Sequence, residues 1–126
     1  MDRREVGKLG EKIAQKFLKK RGFRIRETGF RCTQGEIDII AEKKDCLIFV
    51  EVRTKSSLDF GSPEESITRA KKERLVASAL SYTSTHSRLP PLWRIDIVAV
   101  ELDERGKTKR VELIENAVEP DSRFPG

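Results

Sequence analysis

The spacing of apolar and polar positions divides the chain into helical and extended stretches. From Asp2 to Arg21, Val6, Leu9, Ile13 and Phe17 recur at helical spacing, with Gly10, Ala14 and Leu18 beside them. Lys12, Lys16, Lys19 and Lys20 cover the outer face, and Gly22 is placed to cap the C-terminus. Phe23 to Phe30 reads as a strand with Phe23 and Ile25 on one face. After the polar turn Arg31 to Gln34, Gly35 to Lys55 (GEIDIIAEKKDCLIFVEVRTK) reads as two strands joined by a charged turn. Ile37, Ile39 and Ile40 give the first its apolar body. Leu47-Ile48-Phe49-Val50 begins the second as the continuous run of a strand buried on both faces. Three sequential strands with short connections predict an antiparallel meander.

After Lys55 the chain turns polar, with SSLDFGSPEES as its longest irregular central stretch. Ser62-Pro63-Glu64-Glu65 carries a capping-box signature with proline at the first helical position. A helix begins there or is re-nucleated near Thr68; its clearest stripe is Leu75, Val76, Ala79, Leu80 and Thr83, with Tyr82 alongside. Ser84 to Pro91 is loop. Trp93 to Val100 (WRIDIVAV) is a strong strand, Arg105-Gly106 a hairpin turn, and Lys109 to Ile114 a weaker edge strand. A helical crossover predicts that WRIDIVAV returns parallel to the EVR strand, right-handed. The expected product is an α/β fold, a mixed central sheet of about five strands flanked by helices. It forms a single domain over 1–118, and 119–126 reads as a disordered tail.

A chain of 126 residues is long enough for a core of its own. The net charge of +5 and isoelectric point near 9.4 favour a polyanionic partner, nucleic acid ahead of an anionic membrane surface. No run approaches the roughly 18 apolar residues of a membrane span. MDRREVGK has no apolar stretch behind it, so the expected location is the cytoplasm. Cys32 and Cys46 read as free thiols without CxxC spacing, and His86 is the single histidine. This composition argues against a structural zinc site, and against a Ser-His or Cys-His pair unless His86 is the base. Lys71, Lys72 and Arg74 crowd the first turns of the second helix, where positive charge opposes the helix dipole. An anionic partner would relieve it; a solvated charged face is the plainer reading.

Glu51 interrupts the most apolar stretch of the chain. Alternation puts Phe49, Glu51 and Arg53 on one face of their strand, and Glu36 and Asp38 on one face of theirs. In the right register Asp38 and Glu51 converge. A carboxylate buried in a strand is costly unless a cation meets it, whether a side chain or a metal. The structural alternative is a set of buried ion pairs, Glu51 with Arg53 or Arg94, and Asp38 with Arg31. Asp96 reads as a strand carboxylate paired with an arginine. Glu11, taken alone, is a flanking helix carboxylate.

Asp on one strand and Glu-x-Lys or Glu-x-Gln on the next is the mark of the PD-(D/E)xK nucleases, which this chain resembles. GEIDIIA, IFVEVRT, the Gly10-Glu11 pair in the leading helix, a lysine-bearing helix after the strand and the late RIDIVAV also resemble the bacterial YraN family, from about Gly7 to Val100. The resemblance implies a restriction-endonuclease-like fold, close in plan to archaeal Holliday-junction resolvases. It implies DNA as partner and metal-dependent endonuclease activity, branched or structured DNA included. A non-catalytic nucleic-acid-binding module is the alternative, and a homodimer is compatible with either.

Phosphodiester hydrolysis of this kind uses Mg²⁺ or Mn²⁺ on oxygen ligands. Asp38 and Glu51 are the candidate ligands; the resemblance adds the carbonyl of Val52 and, directly or through water, Glu11. Glu36 is an alternative ligand. Where the superfamily has lysine this chain has Arg53, a poor general base but able to neutralise developing charge. Either Lys71 takes the lysine's place or the module mainly binds. Lys55 shares Arg53's face further along.

Overall fold

The computed structural model describes residues 1–57 and 61–119. Helix α1 (Arg3–Lys20) precedes strands β1 (Arg24–Cys32), β2 (Gly35–Lys43) and β3 (Cys46–Ser56). A 3₁₀ turn (Glu64–Ser66) leads into α2 (Arg69–Thr85), and β4 (Leu92–Leu102) and β5 (Thr108–Val118) follow. The strands form one mixed sheet in the order β1-β2-β3-β4-β5. Its pairs are antiparallel except β3–β4. That exception follows from connectivity, because a strand reached through a helical crossover returns in the same direction. The expected meander and parallel return are both present.

The sheet separates two apolar layers. Ile39, Ala41, Ile48, Val50, Val98 and Val100 pack with Ala14 and Leu18 of α1. Ile37, Ile40, Leu47, Phe49 and Ile95 pack with Leu75, Val76, Ala79 and Tyr82 of α2. The buried line of α1 is Gly10, Ala14 and Leu18. Val6, Leu9, Ile13 and Phe17, the more conspicuous apolar stripe, flank it half-buried. Small residues at the centre let the helix lie close to the strands. At Gly10 the approach is so tight that a β-carbon would stand 1.9 Å from Thr54 Oγ1.

Of the two candidate starts of the second helix, Thr68 is its cap, and the Ser62 stretch forms a separate 3₁₀ turn whose N-cap position is Pro63. Ser62 Oγ accepts the Glu65 N–H at 3.3 Å within the 3₁₀ turn. Thr68 Oγ1 accepts the Lys71 N–H at 3.1 Å and opens α2. Residues 58–60 of the irregular stretch lie outside the described residues. So does the expected disordered tail apart from Glu119.

β5 runs to Val118, past the Ile114 that the apolar pattern predicts. Its register with β4 jumps between Ile97↔Ile114 and Ile95↔Val118. Asn116 takes a positive φ of 53° in the resulting bulge, and its N–H donates to Asp96 Oδ1 at 2.9 Å. None of the described helices is long and apolar enough to cross a membrane.

Candidate functional site

The β2–β3 ladder runs from Lys43↔Cys46 to Ile39↔Val50 and stops there. One more step of the same register would set Asp38 opposite Glu51. Instead β2 changes face. Ile37 and Ile40 belong to the α2-side layer, whereas Ile39 and Ala41 belong to the α1 side. Strict alternation is therefore broken between Ile37 and Ile39, although Glu36 and Asp38 still reach the same cleft. Where the strands part, Asp38 Oδ2 accepts the Val52 N–H at 2.8 Å. A side chain thus takes a backbone donor of β3, and this fixes the Asp38 carboxylate.

The parting opens a cleft of about 530 Å³. Into it α1 brings Glu11, β2 brings Asp38, β3 brings Glu51, Val52 and Arg53, and α2 brings Lys71. All six residues singled out by sequence thus meet at one place. Glu36 also reaches the lining but is exposed and pairs with Arg31 at 3.5 Å. Lys55 lines it too. Gly10 places Glu11, because only a residue without a side chain lets α1 lie this close to Thr54.

Glu51 is 3% exposed. Its Oε1 has no hydrogen-bond partner among the described residues. Its Oε2 stands 3.6 Å from Arg53 Nη1 and 3.7 Å from Lys71 Nζ, close enough for charge attraction but too far for a hydrogen bond. Burial first, and then the charge of Asp38, push the Glu51 carboxyl up to about 8 against the pull of Lys71 and Arg53. Glu11 is raised in the same direction by burial and then by Asp38 and Glu36.

The ion-pair alternative is realised in part. Arg53 does face Glu51, but its Nε is committed to Ser66 Oγ at 2.9 Å. Arg94 is spent elsewhere, donating from Nε to both oxygens of Asp96 at 3.0 Å. Arg31 goes to Glu36 rather than Asp38. The expected arginine partner of Asp96 is therefore Arg94. Ser66 and Arg3 also line the cleft. Neither carries a sequence signal, since one sits in a short polar turn and the other in a charged N-terminal run.

Among the described residues no group of three or more His, Cys, Asp or Glu side chains is arranged to hold a metal ion by itself. The donor chemistry nevertheless suits a hard cation. Mg²⁺ keeps several waters and needs only one or two carboxylates. Glu51 offers a buried oxygen without a partner among the described residues, and burial and then the charge of Asp38 raise both Glu11 and Glu51.

The model of an uncharacterised protein family, UPF0102, matches residues 10–100. The chain is 44% identical over 117 residues to a UPF0102 protein of Dehalococcoides mccartyi, covering 93% of this chain and 95% of that one. It is 44% identical over 117 residues to a UPF0102 protein of Dictyoglomus thermophilum, covering 93% and 99%. To a UPF0102 protein of Moorella thermoacetica it is 41% identical over 117 residues, covering 93% and 98%.

Proposed function

The chain belongs to the UPF0102 family, and on that footing we propose that its acidic cleft hydrolyses DNA phosphodiester bonds with a divalent cation, on a restriction-endonuclease-like scaffold of the PD-(D/E)xK kind. The observation that carries the reading is the convergence of Glu11, Asp38, Glu51 and Lys71 in one cleft from four separate elements. Asp38, Glu51 and the Val52 carbonyl would hold Mg²⁺ or Mn²⁺, with Glu11 beside them. When bound, the ion supplies charge relief on the phosphate and a more acidic water.

The chain's own groups have distinct parts. The Val52 N–H holds Asp38 in place. Glu51 Oε1, without a hydrogen-bond partner among the described residues, would be an oxygen left for the cation. Lys71 Nζ, 3.7 Å from Glu51 Oε2, would take the part of the superfamily's lysine, although it comes from α2. Arg53, tied to Ser66, keeps a fixed positive charge by the cleft. Arg3 and Lys55 extend that charge along the lining for a phosphate backbone.

The test is incubation of the purified protein with Mg²⁺ or Mn²⁺ and duplex, single-stranded and junction DNAs. Metal-dependent cleavage that is lost in both Asp38→Ala and Glu51→Ala is expected. Cleavage that survives either change defeats the proposal. One observation favours a second reading, a module that binds without turnover: the residue at the superfamily's lysine position is an arginine already engaged by Ser66. That reading predicts salt-dependent DNA binding and no product with any metal.

A further inference from the structure

Cys32 ends β1, where it pairs with Gly35 across the β1–β2 turn. The turn lies against α2. A β-carbon on Gly35 would stand 3.2 Å from Ser78 Oγ and 3.6 Å from Arg74 Cβ. Ser78 is therefore aimed at this turn, and it is 0% exposed. Its hydroxyl has no hydrogen-bond partner among the described residues. A buried hydroxyl left without a partner is costly, and the cost falls when an acceptor arrives. Residues paired across an antiparallel ladder project to the same face, so the half-buried Cys32 side chain shares the α2-facing side of this turn with Ser78.

We propose that Cys32 is an oxidisable thiol, a site where a hydroperoxide forms a sulfenic acid held by Ser78 and the β1–β2 turn. The thiolate sulfur attacks the terminal oxygen of the hydroperoxide. The S–O bond forms as the O–O bond breaks, and the alkoxide leaves and takes up a proton as the alcohol. Sulfur gives up two electrons and the hydroperoxide is reduced by two. Ser78 gains an acceptor in both the thiolate and the sulfenate.

The surroundings favour the thiolate. Burial opposes ionisation, but Ser78, the N–H groups of Gln34 and Gly35, and Ser81 together bring the thiol below its ordinary range. The charged neighbours are Arg31 and Glu36, which pair with each other, and Arg74 from α2. Cys46 is an internal control. Its thiol lies against the Leu47 carbonyl and is raised, chiefly by burial.

The experiment treats the whole folded protein with hydrogen peroxide and dimedone, and separately with iodoacetamide across pH, locating adducts by peptide mass spectrometry. At pH 7 Cys32 is expected to alkylate at least about tenfold faster than Cys46, and the dimedone adduct to appear on Cys32 alone. Ser78→Ala should slow Cys32 about threefold or more at pH 7. Ser81→Ala, a less buried change, should slow it by less. Urea-unfolded protein should show equal rates. Equal rates in the folded protein, no dimedone adduct on Cys32, or a Cys32 rate indifferent to Ser78→Ala in a folded variant would each overturn the proposal.

Discussion

Two carboxylates are buried in adjacent strands of this sheet, and they are treated in opposite ways. Asp96, on β4, is 0% exposed, and Glu51, on β3, is 3% exposed. Asp96 receives Arg94 Nε on both oxygens and the Asn116 N–H on one. Glu51 has two cations near it, neither within hydrogen-bonding reach, and one oxygen with no partner among the described residues. Asp96 is what a buried charge looks like when the fold needs it: it anchors the bulge that lets β5 continue to Val118. Glu51 lies among other carboxylates at the point where two strands part. A fold under selection for stability alone would have little reason to keep it, since burying an unmatched charge is unfavourable. The difference separates a carboxylate that holds the structure from one whose acceptors are left for something else.

Substitution should break the pair apart most sharply. Asp96→Asn is expected to lower stability by about 2–4 kcal/mol, because Arg94 and the bulge lose their charged acceptor. Glu51→Gln should instead raise stability at pH 8 in metal-free buffer, since it removes a charge the site resists. Urea denaturation of both variants measures this. A Glu51→Gln protein as damaged as Asp96→Asn would make Glu51 a structural anchor as well.

Titration gives the next largest effect. An isolated glutamate has a value of 4.5, and folding raises Glu51 to about 8. Below the lower value both the folded and unfolded chains hold the proton. Between the two, the unfolded chain has released it while the folded one keeps it, so stability falls as pH rises. Above the upper value nothing further is lost. The wild-type curve minus that of Glu51→Gln should therefore decline by about 2–4 kcal/mol across this window, less than the roughly 5 kcal/mol of the full shift because the open cleft admits water. Melting temperatures with a chelator present test it. If the proposed cation site forms, added Mg²⁺ or Mn²⁺ should recover most of the loss.

Packing around the acidic end can be probed without touching a charge. In Gly10→Ala the new methyl meets Thr54, at a cost of about 1–3 kcal/mol that better helix propensity offsets by about 1. The double variant with Thr54→Ala should recover part of the loss. Recovery in stability together with recovery of the proposed DNA cleavage would tie the closeness of α1 to the placement of Glu11.

Much of this was legible in the sequence because periodic burial leaves periodic residues. The α1 stripe, the run Leu47 to Val50 and the crossover to WRIDIVAV each follow from one face or two faces meeting an apolar layer. The residues of the cleft were also legible, because charge inside such a run is conspicuous. The geometry that brings them together was not. The change of face between Ile37 and Ile39 has no compositional mark, since both are isoleucine. The end of β5 was hidden for a related reason: Glu115, Asn116 and Ala117 show no alternation, and the bulge is held by a contact to Asp96, twenty positions earlier. Ser66 was invisible because a three-residue turn is too short to show a period.

The smallest change asks why Glu51 lacks what Asp96 has. Arg94 reaches its carboxylate through Nε, whereas the Nε of Arg53 is given to Ser66 Oγ. Ser66→Ala frees it, at about 1 kcal/mol or less for one half-buried hydrogen bond. If Ser66 is what holds the guanidinium off, Arg53 will close on Glu51, which then titrates about one unit lower, as expected for a nearer cation. Carboxyl ¹³C shifts followed across pH report this directly. A midpoint that stays near 8 would place the cause in the parting of β2 from β3 instead. Glu51 would then be kept unlike Asp96 by the backbone and not by its neighbour's tether.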